Sequence, residues 1–365
     1  RAPPQSPPLH IVLARSPCRE TPLLLYGNRV VLAMPRLNSL AAREQAAHTP
    51  SNEDGIPSRL EEQLRAYGCQ RVQQAGILLR LPQVTMSTAQ VLFQRFWYVS
   101  SMRSFSIEDM VMGSLLLSSK LAETPLGLRD LVNVCDYLAQ RALYLADATE
   151  EGDGSGNRST AFKYKPMDYF SDTFYDAKDA LVVAEMQLLK RLGFHVQVSL
   201  PHPLMINYMQ VLGLADTKLQ PRTAEVPRLG AMQCAWNYLN DAYVPSGAWR
   251  VLTVFLRLQT PVYCLFPPHI LACASIYMLT LRGKQGADSN PYYPLQLPLY
   301  PHPWWELFDA SEAELRVVAT YVLRLYDANK AGATDKPSPI HGPGAPALAR
   351  LCTKGGMRDF LRRHE

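Results

Sequence analysis

The stretch Phe105–Glu123, FSIEDMVMGSLLLSSKLAE, decides the architecture of this chain. Ser106, with Asp109 three residues on, is a helix start: the hydroxyl can accept from a free amide, and the carboxylate faces the positive end of the helix dipole. Thr124-Pro125 is the stop, because proline lacks an amide hydrogen and disfavours helix in the residue before it. Between these signals Met110, Val111, Met112, Gly113, Leu115, Leu116 and Leu117 leave almost no polar side, so the helix is predicted to lie among other helices. Lys120, near its end, is the exception, since a charge needs either water or a partner.

Helical spacing extends in both directions. Upstream, Ser58 with Glu61 has the pattern of a capping box, followed by Leu60, Leu64, Tyr67, Val72, Ala75 and Leu79 as far as Pro82. Ser87-x-x-Gln90 is expected to open a second helix through Leu92, Phe93, Phe96 and Trp97. Downstream, a helix over about 127–140 carries Leu128, Leu131, Val132, Cys135 and Leu138. The segment 146–165 is a loop by composition. Ser171 starts a fifth helix through Phe174, Ala177, Leu181, Ala184, Leu188 and Leu192, closed by Gly193.

A second set follows Leu200-Pro201, with helices expected at about 203–212, 229–243 and 267–282. A short piece at Trp304–Phe308 precedes a helix over 311–326, which opens on Ser311 and Glu314 as another box. The third helices of the two sets align at an offset of 161, placing Phe105 on Phe266, Gly113 on Ala274, Ser114 on Ser275, Leu115 on Ile276 and Leu117 on Met278. Small residues in mid-helix allow neighbours close, so the shared positions indicate an internal duplication of a five-helix unit; two unrelated bundles are the alternative. The predicted class is all-α, two tandem five-helix lobes. The boundaries are a disordered or loosely packed arm over 1–50, lobes over 51–198 and 199–330, and a flexible tail over 331–365.

Composition agrees. The 365 residues suit about two domains, and 47% hydrophobic content is ample for their cores. A net charge of +5, without a block of like charge, makes no case for nucleic acid. The seven cysteines are odd in number and form no C-x-x-C pair, which indicates neither a disulfide framework nor a zinc ribbon and fits a reducing compartment. Prolines divide the uncharged run Leu258–Leu281, so it is expected to be a core helix and not a membrane span. Asn28 and Arg29 break the apolar run Leu23–Met34, which does not make a signal peptide. Ser6-Pro7, Ser16-Pro17, Thr21-Pro22 and Thr49-Pro50 offer sites for proline-directed kinases, although such dipeptides are common in irregular arms.

No zinc-protease helix, P-loop or nucleophile elbow occurs. Gly152, Gly154 and Gly156 follow no strand, and Arg158 occupies the position where a calcium loop of Asp153, Ser155 and Asn157 would need glycine. No catalytic residue, metal or cofactor is expected. What remains is a pair of charges in apolar helices, Lys120 on the third and Glu185 on the fifth. If those helices pack side by side, the two flank an apolar surface of Leu117, Leu121 and Leu189. Lysine can donate to carbonyls of a foreign helix and glutamate can accept from its amides. A simple surface salt bridge is the equal alternative on pattern alone.

The segments AGILLRLPQVTMSTAQVLFQRF (Ala75–Phe96), SSKLAE (Ser118–Glu123) and EMQLLKRLGFHV (Glu185–Val196) resemble the cyclin box. They are similar to the transcription- and splicing-associated cyclin L group more than to cell-cycle cyclins, with Gln94 where the latter usually carry aspartate. PHPLMINYMQVL (Pro201–Leu212), CAWNYLNDAY (Cys234–Tyr243) and LRLYD (Leu323–Asp327) extend the resemblance through a second box. It implies that Lys120 and Glu185 hydrogen-bond the regulatory helix of a cyclin-dependent protein kinase. Leu117, Leu121, Leu189, Phe194 and Val196 would receive that helix's aliphatic anchor.

The chain would then be no enzyme but an activating subunit, nuclear, acting in RNA polymerase II transcription and pre-mRNA splicing. Neither membrane nor direct nucleic-acid binding is expected of it. Ala122 departs from a glutamate common in the family, the second box carries insertions near 215–228, 245–265 and 283–299, and the family's Arg-Ser tail has no counterpart in this sequence. The rival classes are a cyclin-fold nucleic-acid binder of the general-transcription-factor kind and a kinase-independent helical scaffold.

Overall fold

The computed structural model describes residues 23–26, 29–32, 40–41, 43–150, 162–220, 229–240, 262–281, 294–300, 302–333 and 345–364. Two strands, β1 (Leu23–Tyr26) and β2 (Arg29–Leu32), precede the helices α1 (Arg43–Ala47) and α2 (Pro50–Glu53). The first lobe comprises α3 (Ser58–Leu78), α4 (Gln83–Phe96), α5 (Ile107–Leu121), α6 (Leu128–Glu150) and α7 (Asp172–Arg191). The second comprises α8 (Pro201–Val211), α9 (Ala231–Asn240), α10 (Val262–Leu265), α11 (Pro268–Thr280), a 3-10 turn (Trp304–Phe308) and α12 (Glu312–Ala333). Two more helices, α13 (Ala345–Leu351) and α14 (Lys354–His364), close the chain.

α5 is the helix the sequence placed at the centre, and its local signals operate as expected. The Ser106 hydroxyl accepts from the Asp109 amide at 3.4 Å, with Glu108 and Asp109 in the first turn. Its other end closes through Glu123 at φ 52°, where the Glu123 and Thr124 amides return to the carbonyls of Lys120 and Ser119. These are the two bonds of a Schellman motif. α5 packs against α3, α4, α6 and α7 around a core that includes Leu64, Val72, Phe93, Phe96, Trp97, Leu115, Leu181 and Leu188.

α11 holds the same place in the second lobe, against α8, α9 and α12. Its buried face includes Ile270, Cys273, Ala274 and Ile276. The offset of 161 reaches the hydrogen bonds: the Ser114 hydroxyl donates to the Val111 carbonyl at 2.9 Å, and that of Ser275 to Ala272 at 2.7 Å. Each buried serine satisfies itself inside its own helix, which leaves a small, neutral surface for neighbours. The lobes meet where Val91 of α4 joins the second core, and Arg95 of the same helix donates to the carbonyl of Gln197, just ahead of α8, at 3.0 Å.

Several expectations are corrected. Of the two readings of the arm over 1–50, disordered or loosely packed, the described residues depart from the first: β1 and β2 pair antiparallel with Tyr26 opposite Arg29, and α1 and α2 lie ahead of Ser58. Ser58 and Glu61 do not form a capping box, because the Glu61 carboxylate accepts instead from the Thr49 hydroxyl and from Arg65. α4 begins at Gln83 after Pro82, four residues before Ser87, and Gln90 donates to the Cys69 carbonyl at 2.9 Å. α6 runs beyond 140 to Glu150, and α12 beyond 326 to Ala333.

The tail over 331–365 is not flexible throughout. α13 and α14 place Leu348, Cys352, Met357 and Leu361 in the first-lobe core, and that burial is what orders them. Thr49 is buried as the N-cap of α2, so Thr49-Pro50 is no open kinase site. The other three Ser/Thr-Pro dipeptides, the glycines and calcium-like residues of 152–158, and much of the second-lobe insertions lie outside the described residues.

Candidate functional site

α5 and α7 approach each other at a glycine. A Cβ on Gly113 would fall 3.0 Å from both the Cβ and the carbonyl carbon of Ala184, and 3.1 Å from the Glu185 amide nitrogen. This contact brings the two predicted charges together. The Lys120 ammonium donates to both carboxylate oxygens of Glu185, at 2.6 and 2.8 Å. The pair is asymmetric: the Lys120 side chain is 58% exposed and that of Glu185 13%. A lysine has three N–H donors and a carboxylate about four lone-pair sites. The pair therefore keeps capacity to bind an incoming backbone.

The end of α5 next to Lys120 is closed internally. The Ser118 and Ser119 hydroxyls donate to the carbonyls of Leu115 and Leu116 at 3.0 and 2.7 Å, and the Ala122 amide to that of Ser118. At the end of α7, the Gly193 and Phe194 amides return to the carbonyls of Lys190 and Leu189, a second Schellman motif. Gly193 has φ +58°, which glycine adopts without cost. Phe194 has φ 62° as well and is 73% exposed. A bulky residue in the left-handed region is strained, and here its ring reaches solvent.

The apolar residues expected around the pair divide by depth. Leu121 and Phe194 are exposed, Leu189 and Val196 are half-buried against the first core, and Leu117 is inside that core. Leu117 thus supports the surface from below. Exposed Tyr175, Val182 and Met186 of α7 add to it and were not singled out from sequence. The signal was present: these three stand off the buried stripe of Phe174, Leu181, Ala184 and Leu188 at helical spacing, giving α7 a second apolar face. An apolar face with a charged pair at its edge has the composition of a binding surface.

Among the described residues the cysteines are free thiols. Burial pushes Cys69, Cys234 and Cys273 up to about 12, which keeps them protonated and inert. Among the same residues no group of three or more His, Cys, Asp or Glu is placed to hold a metal, and no helix is long and apolar enough to cross a membrane.

Comparison with known proteins gives a consistent set of relatives. The family described as cyclin, N-terminal domain, matches residues 37–197. Cyclin-L1 of Danio rerio is 33% identical over 80% of this chain and 48% of its own length. Cyclin-L1 of Homo sapiens is 34% identical over 84% and 48%, and Cyclin-L2 of Homo sapiens 35% over 81% and 46%. The chain spans about half the length of these curated relatives. Among solved structures, a chain of the yeast RNA Pol II CTD kinase CTDK-1 complex is similar at a TM-score of 0.49 and 13% identity, covering 90% of this chain and 84% of that one.

Proposed function

The chain belongs to the cyclin family, and from that premise we propose that it is the regulatory, activating subunit of a cyclin-dependent serine/threonine kinase. The carrying observation is the Lys120–Glu185 pair, bidentate and half open to water, at the border of the apolar face of α7. In this reading a helix of the kinase lies across α5 and α7. Its aliphatic side chains cover Leu121, Leu189, Met186 and Phe194, and its polar backbone meets Lys120 and Glu185. Kinases of this kind are inactive until that helix turns inward and its glutamate pairs with the catalytic lysine. The cyclin does no chemistry; it binds the competent state better and shifts the population toward it.

Transcription by RNA polymerase II and pre-mRNA splicing are the proposed setting, and the nucleus the proposed location, on the strength of the similarity to cyclins L1 and L2. The test is affinity purification of the wild-type chain and of a Lys120→Ala, Glu185→Ala variant from nuclear extract, with mass spectrometry of what is retained. A cyclin-dependent kinase held by wild type and depleted with the variant supports the proposal. Equal recovery of the kinase, or none with either, contradicts it.

A further inference from the structure

The last two helices return to the first lobe instead of extending the second. Leu348, Ala349, Cys352, Met357 and Leu361 are buried in the first-lobe core, with Leu351 and Phe360 half-buried beside them. The Cys352 carbonyl accepts from the Ile107 amide at 3.0 Å and from the Ser106 hydroxyl at 3.1 Å. Ile107 is the first residue of α5, and no carbonyl of its own helix can reach its amide. The far end of the chain thus supplies that acceptor. Lys354 lies near enough to Asp109 to draw its carboxyl down against the burial that raises it.

The segment is built as a unit with two faces. The Thr353 hydroxyl accepts from the Gly356 amide at 3.2 Å and so starts α14. A Cβ at Gly356 would fall 1.9 Å from the Arg350 carbonyl oxygen, so the turn between α13 and α14 requires glycine. Lys354, Arg358, Arg362 and Arg363 all face solvent. The apolar face goes inward and the basic face outward.

A cavity of about 190 Å³ lies beside the segment, walled by Tyr67, Arg71, Glu108, Cys135 and Met167 and touched by the segment at Cys352. Arg71 stands 3.8 Å from Glu108 in that wall, and burial raises the Glu108 carboxyl.

We propose that the groove at the start of α5 is a docking site for an amphipathic helical segment with a basic outer face, and that the chain's own Ala345–His364 is its resident, exchangeable occupant. The segment acts as a strap: docked, it caps α5 and ties the end of the second lobe to the first; released, it opens the groove and the first turn of α5. This does not depend on the kinase assignment.

The experiment uses the full chain with a protease site inserted between Ala333 and Ala345. After cleavage and dilution the strap is expected to leave, and hydrogen exchange at Ile107 and its neighbours to rise on the order of tenfold while α4 and α7 keep their protection. A synthetic peptide of residues 345–364 should restore protection, and the same peptide with Leu348→Asp and Leu361→Asp should not. The uncut chain carrying those two substitutions should exchange like the cleaved one. A strap that stays bound after cleavage, protection at Ile107 that does not change, protection lost across the whole lobe, or a wild-type peptide that restores nothing would each overturn the proposal.

Discussion

Gly113 and Ala184 stand at the distance where a methyl group no longer fits between α5 and α7: a Cβ on Gly113 would meet the Ala184 backbone at 3.0 Å. That distance lets Lys120 and Glu185 pair across the two helices. Gly113→Val must therefore push α7 away. Overpacking of this kind costs about 1–3 kcal/mol, and the variant is expected to unfold at correspondingly lower denaturant concentration. Gly113→Ala should cost less, since better helix propensity offsets part of the strain. An unchanged midpoint for Gly113→Val would show that the helices have slack.

Phe194 combines a left-handed backbone with an exposed ring. Phe194→Gly removes the strain and should raise the stability of the isolated chain by about 1 kcal/mol, less the added flexibility of the unfolded state. The same substitution should weaken kinase binding, because the ring belongs to the proposed docking face. Thermal unfolding and a binding titration on one protein sample would check both signs. A variant less stable and equally competent would assign Phe194 to folding.

Arg65 is buried, with its guanidinium on the Gln94 side-chain oxygen at 2.8 Å, the Gln94 carbonyl at 2.9 Å and the Glu61 carboxylate at 3.5 Å. Gln94 in turn donates to the Cys69 thiol at 3.1 Å. This explains the neutral residue at position 94: it satisfies the arginine without adding a second buried carboxylate to Glu61. Arg65→Met leaves Glu61 without its cation and should cost about 3–5 kcal/mol, read as first-lobe unfolding by hydrogen exchange.

Alkaline stability follows from the buried thiols. Cys69 and Cys273, one in each lobe, are pushed up to about 12 by burial. The unfolded thiols ionise near ~8.5 while the folded ones keep their protons. Stability is therefore full below that ordinary value and falls as pH rises from it toward 12. Cys69→Ala with Cys273→Ala should flatten that slope in urea titrations between about pH 8.5 and 10. An equal slope in the variant would mean that other groups carry the dependence.

How much was legible from sequence depended on whether the deciding forces were local. The bounds of α5 were readable because Ser106, Asp109 and Pro125 act within one turn of it. The start of α4 was misplaced because Ser87 and Gln90 mimic a box inside a helix that Pro82 had already begun. Asn28 and Arg29 interrupt the apolar run, which hides the hairpin from a reading by hydrophobicity. With Tyr26 opposite Arg29, only Gly-Asn lies between the strands, a pair suited to a tight turn. The strap was illegible for a different reason. Short helices such as α13 and α14 are not stable alone, and theirs form by burying Leu348 and Leu361 against helices that lie far back in the sequence.

The candidate site shows the same division. Lys120 and Glu185 stood out as charges in apolar helices, and the geometry pairs them. That Leu117 faces inward while Met186 and Val182 face outward is set by which side of α5 and α7 the other helices occupy. No single segment carries that information.

On the proposed function, the Lys120–Glu185 pair serves a partner more than it serves the fold. The direct measurement is the affinity of the isolated kinase for wild type and for Lys120→Met, beside the unfolding free energy of each cyclin alone. A half-exposed ion pair contributes at most about 1 kcal/mol to folding, so stability should change little. Kinase affinity should fall about tenfold or more, which corresponds to ~1.4 kcal/mol. A variant that binds kinase as wild type does would show that the pair does not serve the kinase, and one that loses stability and affinity in equal measure would assign the pair to the fold.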